Sequence, residues 1–283
     1  MVPSGPRHRR QPQHVYRVRR AIAASVAVVV LLGLAQLVGA VGGGGDEEAV
    51  TTTVPATTTT TIPPLPPCVE GDVIVPDDPG VEWATLIVDT QRAIGEGYAP
   101  TDLRNIADAG FPLTDGLAVR ELVIADLGAM RQAAADNGTP ISILAGYRSY
   151  QQQVDLLDRR VGELGASEAG SRVARPGHSE HQLGTTIDVT SEGDTDVDQA
   201  WGASPAGQWI ATNAHKYGFI LSYPQDAQDR TCYDYEPWHL RYVGRELAAD
   251  VIESGLTLRE HLWTLDPVDI TPTTPTTAAT PAP

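Results

Sequence analysis

Apolar positions along residues 68–265 fall into two rhythms. Over 115–137, Val119, Leu122, Val123, Leu127, Met130 and Ala134 recur at helical spacing, which predicts a helix with one buried face. Asn137-Gly138 ends it, and Thr139-Pro140 opens the next element, a strand over 141–144. Gly146-Tyr147-Arg148-Ser149 then turns the chain, and Ser149 with Gln152 forms a capping box for a second helix, expected to bury Tyr150, Val154, Leu157 and Val161. Residues 162–175 are polar and rich in Gly and Ala, and predict a loop over a cleft. Further on, Thr186, Asp188 and Thr190 alternate with Ile187 and Val189, the period of a strand with one polar and one apolar face.

After a polar insertion at 192–203, Ser204-Pro205 starts a helix carrying Trp209, Ile210, Asn213, Ala214 and Tyr217, which Gly218 ends. A short strand at 219–221 and a loop at 223–234 follow. Trp238, Leu240 and Tyr242 alternate with His239 and Arg241 in a last strand, and 243–254 is a helix stopped by Gly255. Helices and short strands without a βαβ rhythm predict an α+β fold on a small, largely antiparallel sheet.

The ends follow neither rhythm. Residues 21–41 are almost wholly apolar, interrupted by Ser25 and Gln36, and about 20 such residues cross a bilayer as a helix. Residues 1–20 carry six Arg and no acid, which places this tail in the cytoplasm and the rest of the chain outside. A single-pass membrane anchor with the folded domain extracytoplasmic is the expectation. A cleaved signal peptide, with Val38-Gly39-Ala40 as its small-residue site and a secreted product, is the alternative. Residues 42–67 are Gly, Thr and Pro-rich and predict an extended spacer; 266–283 has a similar composition and predicts a disordered tail. The folded domain is then 68–265, enough for one good core.

Charge narrows the partners. Beyond the basic tail, 14 basic side chains face 36 acidic ones, a net −22, which argues against nucleic acid because phosphate contacts need a basic face. The two cysteines, Cys68 and Cys232, predict a disulfide in a chain that leaves the cytoplasm, with two free thiols as the alternative. Oligomeric state has no signature.

The candidate chemistry lies in Ser179-Glu180-His181-Gln182-Leu183-Gly184-Thr185-Thr186-Ile187-Asp188. Gly184 lets the chain turn so that His181 folds back beside Asp188. Imidazole plus carboxylate suits zinc, but a catalytic zinc takes three protein ligands and keeps a fourth place for water. His239, in Glu236-Pro237-Trp238-His239, is the candidate third ligand. Glu236, held extended by the following proline, is placed to act as general base. Zinc would bring the pKa of the attacking water to roughly 7 and polarise a carbonyl. Arg148 is the candidate cation for an oxyanion or for a terminal carboxylate. Each residue also has an ordinary structural reading, as a hydrogen-bonded strand residue or a surface ion pair. Arg172, Arg175 and Arg241 are the other nearby cations. His178 borders the cleft motif, His215 and His261 read as helix-surface residues, and His8 and His14 lie in the basic tail.

Taken together, the motifs resemble a known family. The 179–188 run is similar to the Ser-x-His-x-x-Gly-x-Ala-x-Asp signature of the VanY-like D-alanyl-D-alanine carboxypeptidases, zinc peptidases related to the D-Ala-D-Ala dipeptidases and, more distantly, to hedgehog-type domains. Residues 142–153, 209–224 and 236–244 resemble further family stretches, in the family's order. Thr186 departs from the signature's Ala. The resemblance implies one zinc on His181, Asp188 and His239, Glu236 as base, Arg148, Ser179 and Gln153 at the substrate, and the metal in a cleft over an antiparallel sheet. It also implies a peptidoglycan stem peptide as substrate, trimmed at its C-terminal D-alanine. An L,D-carboxypeptidase, a cross-link endopeptidase and a non-catalytic wall-binding module are the other readings. Glu236 speaks against the last, since a pseudo-enzyme has no need of a base beside the metal.

Overall fold

In a computed structural model of the chain, residues 64–75 and 83–265 are described. The basic tail, the apolar run, most of the spacer and the C-terminal tail lie outside the described residues. Among the described residues no helix is long and apolar enough to cross a membrane.

A four-stranded antiparallel sheet holds the centre. Its strands are β5 (Ile141–Ala145), β6 (Thr186–Ser191), β7 (Phe219–Leu221) and β8 (His239–Tyr242), in the order β5-β6-β8-β7. Two small ladders flank it: β1 (Val73–Ile74) pairs parallel with β2 (Arg92–Ala93), and β3 (Leu103–Asn105) antiparallel with β4 (Ala118–Arg120). The expected α+β class and antiparallel sheet are present. Helix α1 (Glu121–Asp136) buries Val123, Leu127, Met130 and Ala134 in one apolar cluster with Ile187, Val189 and Leu240 of the sheet. Helix α4 (Pro205–Asn213), capped by Ser204, adds Ala206 and Ile210 to that cluster. The sheet's apolar face is thereby covered, and its other face is left for chemistry.

Several expectations shift. Helix α1 begins at Glu121, not at 115, because 118–120 pair with β3; Val119 points into the core either way, so periodicity alone counted it as helical. Helix α2 (Tyr150–Leu164) has the expected capping box, yet it buries Gln153, while Tyr150, Val154 and Leu157 are half-buried and Val161 is exposed. This helix walls the cleft rather than covering the core. The expected loop at 162–175 instead continues α2 and then forms α3 (Ala166–Arg172), as Ala-rich polar sequence readily does. The 223–234 loop contains one short helix, α5 (Gln228–Thr231). Strand β8 is buried on both faces: Leu240 and Tyr242 join the core cluster on one side, and on the other Arg241 is covered by Glu180 and the backbone of residues 83–86.

After α6 (Arg245–Ser254), the final helix α7 (Leu258–Leu265), to which the sequence reading assigns no element, buries Leu258, Leu262 and Trp263. His261 is buried beside Ser254, its Nδ1 3.2 Å from the Oγ, and is not a surface residue. Cys68 and Cys232 form the expected disulfide, with Cα atoms 5.1 Å apart. Leu65 packs on the α6–α7 cluster and the Pro66 carbonyl accepts from Arg259, so the packed segment reaches into the expected spacer.

Candidate metal centre and catalytic cleft

The three candidate ligands come from two neighbouring strands and the turn before one of them. Asp188 of β6 stands directly opposite His239 of β8 in the antiparallel register. His181 lies in a short 3-10 turn over Glu180–Leu183 that ends at Gly184, with φ +73°. A Cβ at Gly184 would press on Arg120 and Pro100, each at 3.0 Å, so both backbone geometry and space call for glycine. The turn folds His181 back as expected: its Nε2 is 3.4 Å from Asp188 Oδ2, and His239 Nδ1 is 3.3 Å from Asp188 Oδ1.

The trio fits a zinc ion. Its ligand atoms all lie within 4.8 Å of one another. Tetrahedral ligands about 2.0–2.1 Å from zinc stand about 3.3–3.4 Å from each other, close to the two spacings here. Asp188 Oδ1 is buried without a hydrogen bond, although His239 Nδ1 is near; the two groups are close but not aligned for one. Each imidazole also has its second nitrogen engaged. His181 Nδ1 is 2.7 Å from the Gly146 carbonyl, and His239 Nε2 is 3.0 Å from Glu180 Oε2. Since carbonyl and carboxylate only accept, those nitrogens carry the protons, and the free lone pairs face the trio.

Electrostatics point the same way. Burial pulls the pKa of His239 down, but the surrounding carboxylates of Asp188, Glu180 and Glu236 overcome it and raise it to about 10. Surroundings that hold a proton this firmly are surroundings that attract a cation. Burial works against ionising Asp188, yet His181 and His239 bring its pKa well below the usual carboxylate range. Burial lowers His181, opposed by Asp188.

Glu236 completes the centre, with Oε2 3.5 Å from His239 Nδ1. Burial raises its pKa to about 8, and the neighbouring Asp188 adds to the rise. Arg148 borders the same cavity of about 260 Å³, along with Ser179, Tyr223 and Trp238. Burial lowers the Arg148 pKa, while Asp188 and Glu236 oppose that. Its Nη1 donates to Gln153 Oε1 at 2.9 Å, and Gln153 Nε2 donates to the Ala174 carbonyl at 2.7 Å. Both ends of Gln153 are thus committed to the protein, which makes it a holder of Arg148.

A family profile described as VanY, D-alanyl-D-alanine carboxypeptidase, matches residues 116–245. A D-alanyl-D-alanine carboxypeptidase of Enterococcus faecalis (strain ATCC 700802 / V583) is 31% identical over 192 residues, covering 65% of this chain and 67% of that protein. YodJ of Bacillus subtilis (strain 168) is 38% identical over 179 residues, 62% of this chain and 65% of its own length. Among solved structures, a VanY D,D-pentapeptidase variant in complex with Zn(II) aligns at TM-score 0.55 with 30% identity, covering 64% of this chain and 99% of that one.

The chain belongs to the VanY-like D-alanyl-D-alanine carboxypeptidase family.

The LD-carboxypeptidase LdcB also aligns, at TM-score 0.57 and 38% identity, covering 62% of this chain and 83% of LdcB. The chain spans about two thirds of the length of the curated relatives it matches. Within this VanY-like domain, the residues singled out from the sequence converge: His181, Asp188, His239, Glu236, Arg148, Ser179 and Gln153 all border one cavity. Others do not. Arg241 is buried and bound to Glu180 and to backbone carbonyls of 83–86. Arg175 is bound to Asp72 and to the Gly71 and Thr90 carbonyls. His178 is buried against the Asp89 carbonyl and Asp72. Arg172 does border the cavity, and pairs with Glu168 at 2.8 Å.

Two residues of the VanY-like centre escaped sequence reasoning. Gly146 brings its carbonyl to His181, and a Cβ there would collide with the Ala118 carbonyl oxygen. Glu180 binds the far side of His239. A signal for Glu180 existed: Arg241, a charge inside a strand otherwise reading as core, needs a buried acid as partner.

Proposed function

We propose that this protein is a zinc metallocarboxypeptidase that removes a C-terminal D-alanine from peptidoglycan stem peptides. The observation that carries this reading is the gathering of the His181, Asp188 and His239 trio, the buried carboxyl of Glu236 and the guanidinium of Arg148 in one cavity. The Zn(II) and D-alanyl-D-alanine complexes of VanY relatives support it.

His181, Asp188 and His239 would hold the zinc, which supplies an acidified water and a polarised carbonyl. Glu236 takes the proton of the attacking water on its carboxylate and returns it to the leaving amine. Its burial favours the protonated carboxyl, so the proton is retained long enough to be passed on. Arg148, held by Gln153, meets negative charge on the substrate, and in so acidic a domain it gives a terminal carboxylate a local cation to enter against. Ser179, on the same cavity, offers a hydroxyl to that carboxylate.

The similarity to LdcB favours a second reading, cleavage after an L-centre in a tetrapeptide rather than between two D-residues. Both remove a terminal D-alanine. The full chain should be incubated with a stem pentapeptide, a tetrapeptide and an amidated pentapeptide, with and without chelator, and the products weighed. Release of D-alanine from the free pentapeptide alone, abolished by chelator, is the expected result. Release only from the tetrapeptide establishes the second reading, and equal cutting of amidated and free peptides overturns carboxylate recognition.

The membrane anchor remains our proposal for residues 21–41, supported by the six preceding Arg and by a disulfide suited to an oxidising compartment. Protease added to spheroplasts should degrade the domain; full protection sinks this topology.

A further inference from the structure

Glu180 takes no part in the proposed reaction, yet among the described residues its side chain is one of the most completely engaged. It is 5% exposed and directly precedes His181. Its Oε2 accepts from Ser222 Oγ at 2.7 Å and lies 3.0 Å from His239 Nε2. Its Oε1 accepts from Arg241 Nη1 at 3.0 Å. The second terminal nitrogen of Arg241, Nη2, donates to the carbonyls of Trp83 at 3.0 Å and Leu86 at 2.7 Å. A buried ion pair is weak evidence of stabilisation, since desolvation offsets much of the attraction. Its geometry here does something else.

A neutral imidazole carries one proton, and the partner of one nitrogen decides which atom is left to bind a cation. An acceptor opposite Nε2 puts the proton there and leaves the Nδ1 lone pair, 3.3 Å from Asp188, for the metal. The ring has a second constraint: Tyr223 lies against its face, with centroids 4.6 Å apart. Hydrogen bond at the edge and ring contact at the face together leave His239 one orientation.

We infer that Glu180 is a positioning residue of the metal centre: it fixes the tautomer and orientation of His239, and is itself held by Arg241, which the backbone of residues 83–86 clamps. The inference rests on His239 being a metal ligand. It also extends the centre beyond the residues 116–245 matched by the family profile, because the clamp lies upstream of them.

Glu180→Gln tests it at nearly constant volume. If the Gln carbonyl oxygen stays on Arg241, its amide N–H₂ faces His239 Nε2 and donates, which selects the wrong tautomer. If it turns round, the amide N–H₂ faces the guanidinium. Either way the arrangement is lost. Zinc affinity of the full chain, measured by competition with a chromogenic chelator, needs no peptide turnover. Glu180→Gln should weaken zinc about 10–100-fold, the range for losing a partner of a metal-bound His. In zinc-loaded, ¹⁵N-labelled protein the slowly exchanging Nε2–H of His239 should be lost as well.

Ser222→Ala removes a different donor from the same oxygen and should leave affinity within about twofold, as a bond not made to the ligand. Should Glu180→Gln fail to fold, Glu180→Asp keeps the charge opposite Arg241 but withdraws the oxygen from His239, and about tenfold weakening is expected on the same ground. Unchanged zinc affinity in the Gln or Asp variant overturns the inference, as does an equal loss in Ser222→Ala. Asp188→Ala separates the two levels: if it binds zinc as tightly as the parent, the metal-centre reading itself has failed.

Discussion

At Glu236 the surroundings pull the proton both ways: burial raises its pKa to about 8, while His239 and Arg148 oppose the rise. Glu236→Gln removes the proposed proton acceptor but no proposed ligand. Zinc content and melting behaviour should stay close to the parent's, while kcat falls by about 10²–10⁴, the range for a lost general base. Elemental analysis and a D-alanine release assay check both halves, and near-normal turnover would assign the proton transfer elsewhere.

The shifted groups also set a pH dependence for the metal-stripped protein. His239, raised to about 10, holds in the folded state a proton that the unfolded chain gives up near 6.5, so its stabilisation is lost as pH climbs between those values. Glu236, raised from 4.5 to about 8, has the same sign over that window. Glu180, which Arg241 and His239 bring down to about 2 against its burial, acts oppositely and loses its contribution only as pH falls below 4.5. In chelator the melting temperature should therefore drop from pH 7 to pH 9, and zinc, taking the proton's place, should flatten the drop. A chelated melting point that rises over this interval contradicts the assignment. The trio and Glu236 were legible because residue type and spacing name them. Glu180 and Gly146 were not, because their roles depend on what stands opposite in space.

Between strand β5 and helix α2, four residues decide how the cleft is lined. The register of β5 against β6 shifts between Ile143 and Ala145, a bulge of the kind found beside active sites, and Ala145 comes to face Asp188. Gly146 follows in close contact with Ala118, Tyr147 donates to the Ala118 carbonyl at 2.7 Å, and Arg148 donates from its backbone to the His181 carbonyl at 3.2 Å. Gly146→Ala has no room and must push the turn away from β4. It should destabilise the fold by about 1–3 kcal/mol, as overpacking does, and weaken zinc by moving the acceptor of His181. Urea unfolding and chelator competition on one preparation read both effects. The capping box at Ser149 was plain in the sequence because it is local chemistry. The buried side of α2 was not: Leu156 and Arg160 border the cavity, and a helix facing a cleft lacks the apolar stripe of a helix facing a core.

Across the whole domain, the segment before residue 116 acts as a brace. Its residues 89–98 hold His178 and Gln182, and Ile94 donates to the Gly177 carbonyl at 2.7 Å, next to the metal motif. The disulfide fastens Cys68 at the start of that segment to the loop ahead of Glu236, closing a separation of 164 residues. Replacing both cysteines by serine should cost about 2–5 kcal/mol, seen as a lower melting temperature that reductant no longer changes. Of this bracing only the disulfide was legible, from its two cysteines; the rest was not, because it is made largely by backbone carbonyls, which every residue type supplies. A different consequence follows from the sheet order. Asp188 and His239 face each other on β6 and β8, the two interior strands, where both edges of each strand are hydrogen-bonded. Amide protons there open to solvent only with the least frequent fluctuations of a fold. Deuterium uptake followed by mass spectrometry should be slow in both strands whether or not zinc is bound, with chelation felt mainly in the turn around His181. The metal would then enter and leave a scaffold that does not need it in order to persist.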